Sequence, residues 1–291
     1  MLPKVSVIIT SIGRDDLKFA VNSVKDQTYD NIEIILVLDG VLPEGVDTND
    51  LKVIYLDGVR NGNIARNTGI KASSGEFIAL LDDDDIFYPD KIQKQIEHIR
   101  NANDVTKVVS YTKVKSFSRK TNDSKIVPSS SINENENVLD YLFRATDPGF
   151  IQTSTLLAHR SLFLNNLFDE TITKHQDWDW LINIQKKFDI EFLFLNEILV
   201  EYQNNQPGTS VGTQNKWRYS IDWVTRYEDV TSEETRSRFK SMVIFNIMTD
   251  YSMSKMKRCQ ESIKLVGEIP IRQTNLRLIS LLKIVYYFLK Y

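Results

Sequence analysis

The chain has one cysteine, Cys259, and three histidines in 291 residues. A single thiol cannot close an internal disulfide or build a thiolate metal cage, which suits a reducing compartment, so the cytosol is the expected location. His98, His159 and His175 show no ligand spacing, and with one cysteine they exclude a structural zinc cage. The formal net charge of -3 lacks the basic excess that phosphate backbones require, so no nucleic acid partner is expected. No stretch reaches the roughly 18 apolar residues of a membrane span. The nearest approach, "LRLISLLKIVYYFLKY", is interrupted by Arg277, Lys283 and Lys290. The opening "MLPKVSVIIT" holds an apolar run too short for a signal peptide and reads as the first strand of a fold. What is present is a globular composition, 42% hydrophobic and 26% charged, sufficient to bury a full core in one large domain or two.

The first hundred residues alternate short β-rich runs with helical periodicity, the signature of an α/β fold with a mostly parallel sheet and flanking helices. Strands are expected at Val5–Thr10, Glu33–Asp39, Val53–Asp57 and Phe77–Asp82, and a fifth at Val108–Phe117. Leu17, Ala20, Val21 and Val24 recur at helical spacing behind Asp15 or Asp16 as a cap. Pro89 suits a first helical turn, and Ile92, Ile96 and Ile99 continue one apolar face. In such sheets ligands lie at the carboxyl ends of the strands, where Thr10, Asp39, Asp57 and Asp82 all fall. The polar stretch "SRKTNDSKIVPSSSINENEN" is too long for an ordinary connection and reads as a lid or disordered loop. Beyond Lys216 the chain reads as helical, giving a main unit over 1–212 and a C-terminal helical region over 213–291.

The segment "LLDDDDIFYPD" sets four carboxylates, Asp82 to Asp85, at the end of a buried strand. Two like charges ~4 Å apart repel by ~4 kcal/mol at the effective dielectric of a protein surface, so a cation is expected to offset them. A capping turn would account for one or two aspartates. Four beside a predicted crevice favour a divalent cation, Mn²⁺ or Mg²⁺, which takes hard oxygen ligands and keeps positions open for phosphate.

Several motifs in order resemble the family 2 inverting glycosyltransferases, which have the GT-A fold. "VSVIITSIGRDDLKFAVNSVKDQTYDNIEIILVLDG" is similar to their opening strand, helix and second strand. "ARNTGIKASSGEFIALLDDDD" resembles their Ala-Arg-Asn-x-Gly-Ile segment running into the D-x-D motif, and "FDE" and "HQDWDWLINI" resemble their late acidic motif. The resemblance implies a nucleotide-sugar half at about 1–117 and an acceptor half at about 138–212. It implies that Asp39 reads the uracil edge of a UDP-sugar, that Thr10 lies close to the base, and that Arg66 and Asn67 face the donor. Asp84 is then the direct metal ligand, Asp82 serves ribose or a metal-bound water, and Asp83 is the variable middle position of the donor site. Because "RNGNIARN" is one residue shorter than the usual pattern, Arg60 competes with Arg66 for phosphate contact. Where many relatives carry a late His, this chain has Gln206 in "NNQPGTSV", so a metal would rest on carboxylates, diphosphate and water.

Inverting transfer needs a base for the acceptor hydroxyl. Asp177 and Asp179 are the candidates. On a helical wheel Leu181, Ile184 and Phe188 fall within about 40° of Asp177, whereas Asp179 lies near 200° beside Asn183 and Lys186, so Asp177 is expected to point inward. Burial would raise its pKa and the helix N-terminus would lower it. The resemblance also places the base at Asp177, and His175, two residues before it, is close enough to line the acceptor side.

The implied activity is transfer of a sugar to a glycan, lipid-linked or protein-linked acceptor in bacterial polysaccharide assembly. A catalytically inactive binding module of the same fold is the rival from another class. A nucleotidyltransferase would want a Gly-rich phosphate loop where "ITSIGRDD" has only Gly13 and Arg14. The C-terminal segment reads first as a helix packed on its own unit. Its cationic and aromatic residues also allow peripheral contact with anionic lipid at the inner face of a membrane.

Overall fold

The computed structural model describes residues 2–58, 61–118, 122–203 and 215–291. These divide into two units, one within Met1–Glu134 and Gly149–Asn205 and the other within Asn135–Pro148 and Gln206–Tyr291.

The first unit is built on a nine-stranded sheet. Strands β1 (Val5–Ser11), β2 (Ile32–Leu38), β3 (Leu51–Tyr55) and β4 (Phe77–Asp82) run parallel in the order β3-β2-β1-β4. In β1, β2 and β4 the apolar runs are nearly continuous because strands covered on both faces have no solvent side to alternate with, whereas β3, at the edge, exposes Lys52 and Tyr55. Helix α1 (Leu17–Lys25) buries Leu17, Ala20, Val21 and Val24 against this sheet, as the spacing predicts. Asp16 is its cap residue, but its side chain makes no capping hydrogen bond. In α2 (Gly62–Ala72) the Asn61 side chain does cap, accepting from the Asn63 amide.

After β4 the sheet becomes mixed. It continues through β8 (Leu157–His159), β6 (Val108–Ser118), β9 (Glu191–Gln203) and β5 (Ile86–Phe87), with β8 antiparallel to β4 and β6, and β9 parallel to β6. Helix α3 (Lys91–Ile99) buries Ile92, Ile96 and Ile99, and Pro89 precedes it rather than entering its first turn. The polar stretch after β6 is not wholly a loop. Asp123–Val127 forms β7, antiparallel to β6, because an edge strand needs main-chain partners and tolerates polar side chains. Two short helices, α4 (Val138–Leu142) and α5 (Arg160–Asn165), and the longer α6 (Gln176–Lys187) follow.

The second unit joins α4 to α7 (Trp217–Thr225), α8 (Glu233–Met248), α9 (Lys255–Gly267) and α10 (Thr274–Lys290). Its core sets buried Trp223 between Tyr227 and Phe239, and Phe239 also meets Phe143 edge-on. Residues 135–148 group with these helices, since Val138, Leu139, Tyr141 and Leu142 form a buried apolar set.

Candidate active site

The carboxyl end of the parallel strands carries the site. Thr10 is level with Asp82 across β1 and β4, and the Asp39 amide donates to the Ser11 carbonyl at 2.8 Å. The loops after β1 and β2 touch. A Cβ on Gly13 would lie 2.3 Å from the Val41 carbonyl oxygen, and one on Gly40 would lie 2.2 Å from that of Ile12. Gly13 also has φ of +88°, so glycine is required on both counts. This close approach aims Arg14 at the aspartates.

Each of the four aspartates has a separate environment. Asp82 accepts from Arg66 Nη2 at 2.9 Å and from Gln152 Nε2 at 3.1 Å. Asp83 is buried, accepting from Arg14 Nη1 at 2.5 Å and from Ser11 Oγ at 2.6 Å. Asp84 shares that guanidinium, 3.3 Å from the same nitrogen, and burial with the neighbouring Asp82 charge pushes its carboxyl up to about 6. Asp85 is fully buried and pushed upward by burial and by Asp82 and Asp84. It accepts from Ser154 Oγ at 2.6 Å, Gln152 Nε2 at 3.0 Å and the Gln203 amide at 3.0 Å. The repulsion seen in the sequence is thus met partly by arginines, with Asp85 fixed inward by neutral donors.

Arg66 is the hub. Its Nη2 binds Asp82, its Nη1 donates to Gln176 Oε1 at 3.1 Å, and its Nε is buried with no hydrogen-bond partner among the described residues. One guanidinium therefore ties the end of β4 to the start of α6. Asn67 faces elsewhere: it brackets Phe168 with bonds to the carbonyl and from the amide, and it donates to Glu170 Oε1. The "FDE" segment is thereby docked on α2.

Asp177, in the first turn of α6, lies within the field of Arg66 and Asp82. Burial pushes its carboxyl up to about 6 against the opposing pull of Arg66 and of the Trp178 amide, which donates to it at 3.0 Å. Burial therefore outweighs the helix N-terminus. The helical wheel was misleading about Asp179, which is 3% exposed and accepts from Asn183 Nδ2 at 2.9 Å. A helix flanked on more than one side has no wholly solvated face. His175 adopts φ of +62°, stacks on Trp178, and is pushed down to about 3 by burial and by Lys174, which keeps its ring neutral. Arg60 and Gln206 lie outside the described residues.

Among the described residues no three His, Cys, Asp or Glu side chains converge as a ready cation cage. Asp82 and Asp84 are the pair that could hold a hard cation. Arg14, Gln152, Ser154 and Tyr202 were not singled out from the sequence. Tyr202, on β9, has its hydroxyl pushed up by burial and by Asp85, Asp177, Asp82 and Asp84. For Arg14 a signal existed, since it is the first cation past a strand that neighbours β4.

Residues 6–171 match the profile of glycosyl transferase family 2, more than half of the chain and all four strand-end aspartates. The chain belongs to this family. It is a glycosyltransferase, and Asp177 lies just past the matched segment. Among curated relatives it is 28% identical over 236 residues to the Erwinia amylovora amylovoran biosynthesis glycosyltransferase AmsB, covering 75% of this chain and 76% of that protein. It is 30% identical over 239 residues to an uncharacterized glycosyltransferase of Rickettsia conorii, covering 79% of this chain and 39% of that protein. Among solved structures, S. aureus TarS 1-349 superimposes with a TM-score of 0.62 at 12% identity, covering 98% of this chain and 89% of that one, and shows the shared GT-A fold. No described helix is long and apolar enough to cross a membrane.

Proposed function

We propose that the protein moves a sugar from a UDP-linked donor to an acceptor hydroxyl with inversion, using Mn²⁺ or Mg²⁺, in bacterial surface-glycan assembly. The observation that carries this reading is the double engagement of Arg66, with Asp82 at 2.9 Å and Gln176 at 3.1 Å, which sets the D-x-D strand end beside the helix start that bears Asp177.

A dication fits the residues present. The donors are hard carboxylate oxygens, and Asp84 at about 6 is a charge that Arg14 does not fully offset. When bound, such an ion would supply electrostatic stabilisation to the departing diphosphate. Asp177, already raised to about 6, suits a base that takes the acceptor proton near neutral pH. Arg66 keeps it ionised enough to serve and leaves a buried Nε–H for a donor oxygen. Asp39, just past β2, and Thr10, near the end of β1, would then face the uracil base. A uridine donor is supported by the TarS structure solved in complex with UDP, which superimposes with a TM-score of 0.55. The polysaccharide setting is supported by the amylovoran role in the name of AmsB.

The test is a panel of nucleotide sugars scored for Mn²⁺-dependent thermal stabilisation, because a ligand that binds only the native state raises its stability. A uridine donor that shifts the melting temperature only with the cation is expected. A shift unaffected by chelation rejects the metal, and stabilisation by another nucleotide alone rejects the uridine assignment.

A further inference from the structure

Helix α10 buries one face against α8 and α9 through Leu276, Ser280 and Ile284, with Ser280 Oγ donating to Ser241 Oγ at 2.8 Å. At 100° per residue the opposite face is centred on Leu278, Leu282, Val285 and Leu289. These four lie on the solvent side at 56%, 60%, 57% and 78% exposure. A soluble helix ordinarily places polar residues there. Here the middle of the outward stripe is aliphatic for three turns, about 16 Å of helix.

Cations flank it. Lys255 Nζ lies 4.5 Å from the Phe288 ring on one side, and on the other Lys290 Nζ lies 5.5 Å from the Tyr286 ring. Residues 255–291 contain eight Lys or Arg and two Glu, an excess of six positive charges, whereas the whole chain is at -3. An aliphatic stripe edged by aromatic rings and lysines whose stems run along apolar surface matches a bilayer interface, with the lysine heads at the phosphates. A second copy is a poorer occupant. A two-fold contact through this stripe would set one positively edged face against an identical one.

We propose that the outward face of α10 is a docking surface for anionic lipid, on which the protein lies peripherally. The surface uses none of the residues assigned to the donor chemistry, so either reading can fail without the other.

The experiment sediments the full chain with vesicles of equal parts phosphatidylglycerol and phosphatidylcholine, with vesicles of phosphatidylcholine alone, and without vesicles, each run also sized by light scattering. Wild-type protein should partition to the anionic vesicles, less to the neutral ones, and less at high salt. The double variant Leu278→Glu/Leu282→Glu, altered only at exposed positions, should lose at least about tenfold in partition with an unchanged melting temperature. The proposal is overturned if wild-type protein ignores anionic vesicles, or if the variant sediments with them equally well. It is also overturned if wild-type protein is a dimer that the variant dissolves while neither binds vesicles, which would assign the face to a second copy.

Discussion

Arg14 donates from Nη1 to Asp83 Oδ1 at 2.5 Å, and the same nitrogen lies 3.3 Å from Asp84 Oδ2. A guanidinium one loop beyond β1 thus supplies part of the positive charge that the carboxylates at the end of β4 require. Asp83, more deeply buried than Asp84, takes the shorter contact. Asp83 is therefore a partner of the chain's own arginine, and Asp84 is the carboxylate better placed to face a ligand.

Arg14→Ala should destabilise the cation-free protein by about 1–3 kcal/mol, the usual cost of stranding a buried charged group that has lost a hydrogen bond. The variant should also gain more from Mn²⁺ than the wild type does, because the ion would restore positive charge that the arginine had supplied. Thermal denaturation with and without Mn²⁺ measures both effects. Equal Mn²⁺ shifts in the two proteins would separate Arg14 from the cation site.

The acidic run divides into stability and function. Asp85→Ala leaves Gln152, Ser154 and the Gln203 amide without their buried acceptor. It should cost about 3 kcal/mol by chemical denaturation. Asp84→Ala should not destabilise the cation-free protein, since it removes a buried like charge, and should abolish cation-dependent donor binding.

The pH dependence of stability has a defined sign. Asp84 titrates at about 6 in the folded protein against 3.8 as the ordinary value, so the folded state holds this proton more tightly. Its stabilising contribution is complete below about 4 and is lost as pH rises through about 6. Without divalent cation, Asp84→Asn should therefore be more stable than wild type at pH ~7.5 by about 1–3 kcal/mol, and the gap should close toward pH ~4. A constant gap across that range would show that the Asp84 carboxyl is not perturbed.

Activity should fall on the acid side as Asp177 takes up its proton, with a midpoint at about 6. Arg66 opposes that protonation, so Arg66→Met should move the acid limb of kcat/KM to higher pH as well as weakening donor binding. Steady-state pH profiles of the two proteins read the displacement. A limb that stays in place would mean that Arg66 does not act on the base.

Much of this was readable before the fold was known, and the physical reasons differ by residue. The parallel strands announced themselves because burial on both faces leaves uninterrupted Val, Ile and Leu, and the Asp82–Asp85 run marked the strand end that carries the site. The wheel set Asp177 inward and Asp179 outward, whereas Asp179 is the more buried of the two. What stayed hidden depends on contacts distant in sequence. Gln152 and Ser154 reach Asp82 and Asp85 across about seventy residues, and nothing in their local sequence distinguishes them from ordinary loop residues. Asp179 looked solvated because the helical wheel sees one apolar face, whereas α6 is covered on others. Strand β7 was hidden for the opposite reason, since a polar edge strand has no hydrophobic alternation to betray it.

The central claim is that Asp177 takes the acceptor proton while Asp84 holds the cation that binds the donor. The most direct measurement pairs UDP-sugar binding by calorimetry in Mn²⁺ with turnover, for wild type, Asp177→Asn and Asp84→Ala. The account predicts that Asp177→Asn binds donor as the wild type does and loses turnover by at least about a thousandfold, while Asp84→Ala loses the Mn²⁺-dependent binding itself. Near-normal turnover in Asp177→Asn, or unaltered Mn²⁺-dependent binding in Asp84→Ala, would contradict it.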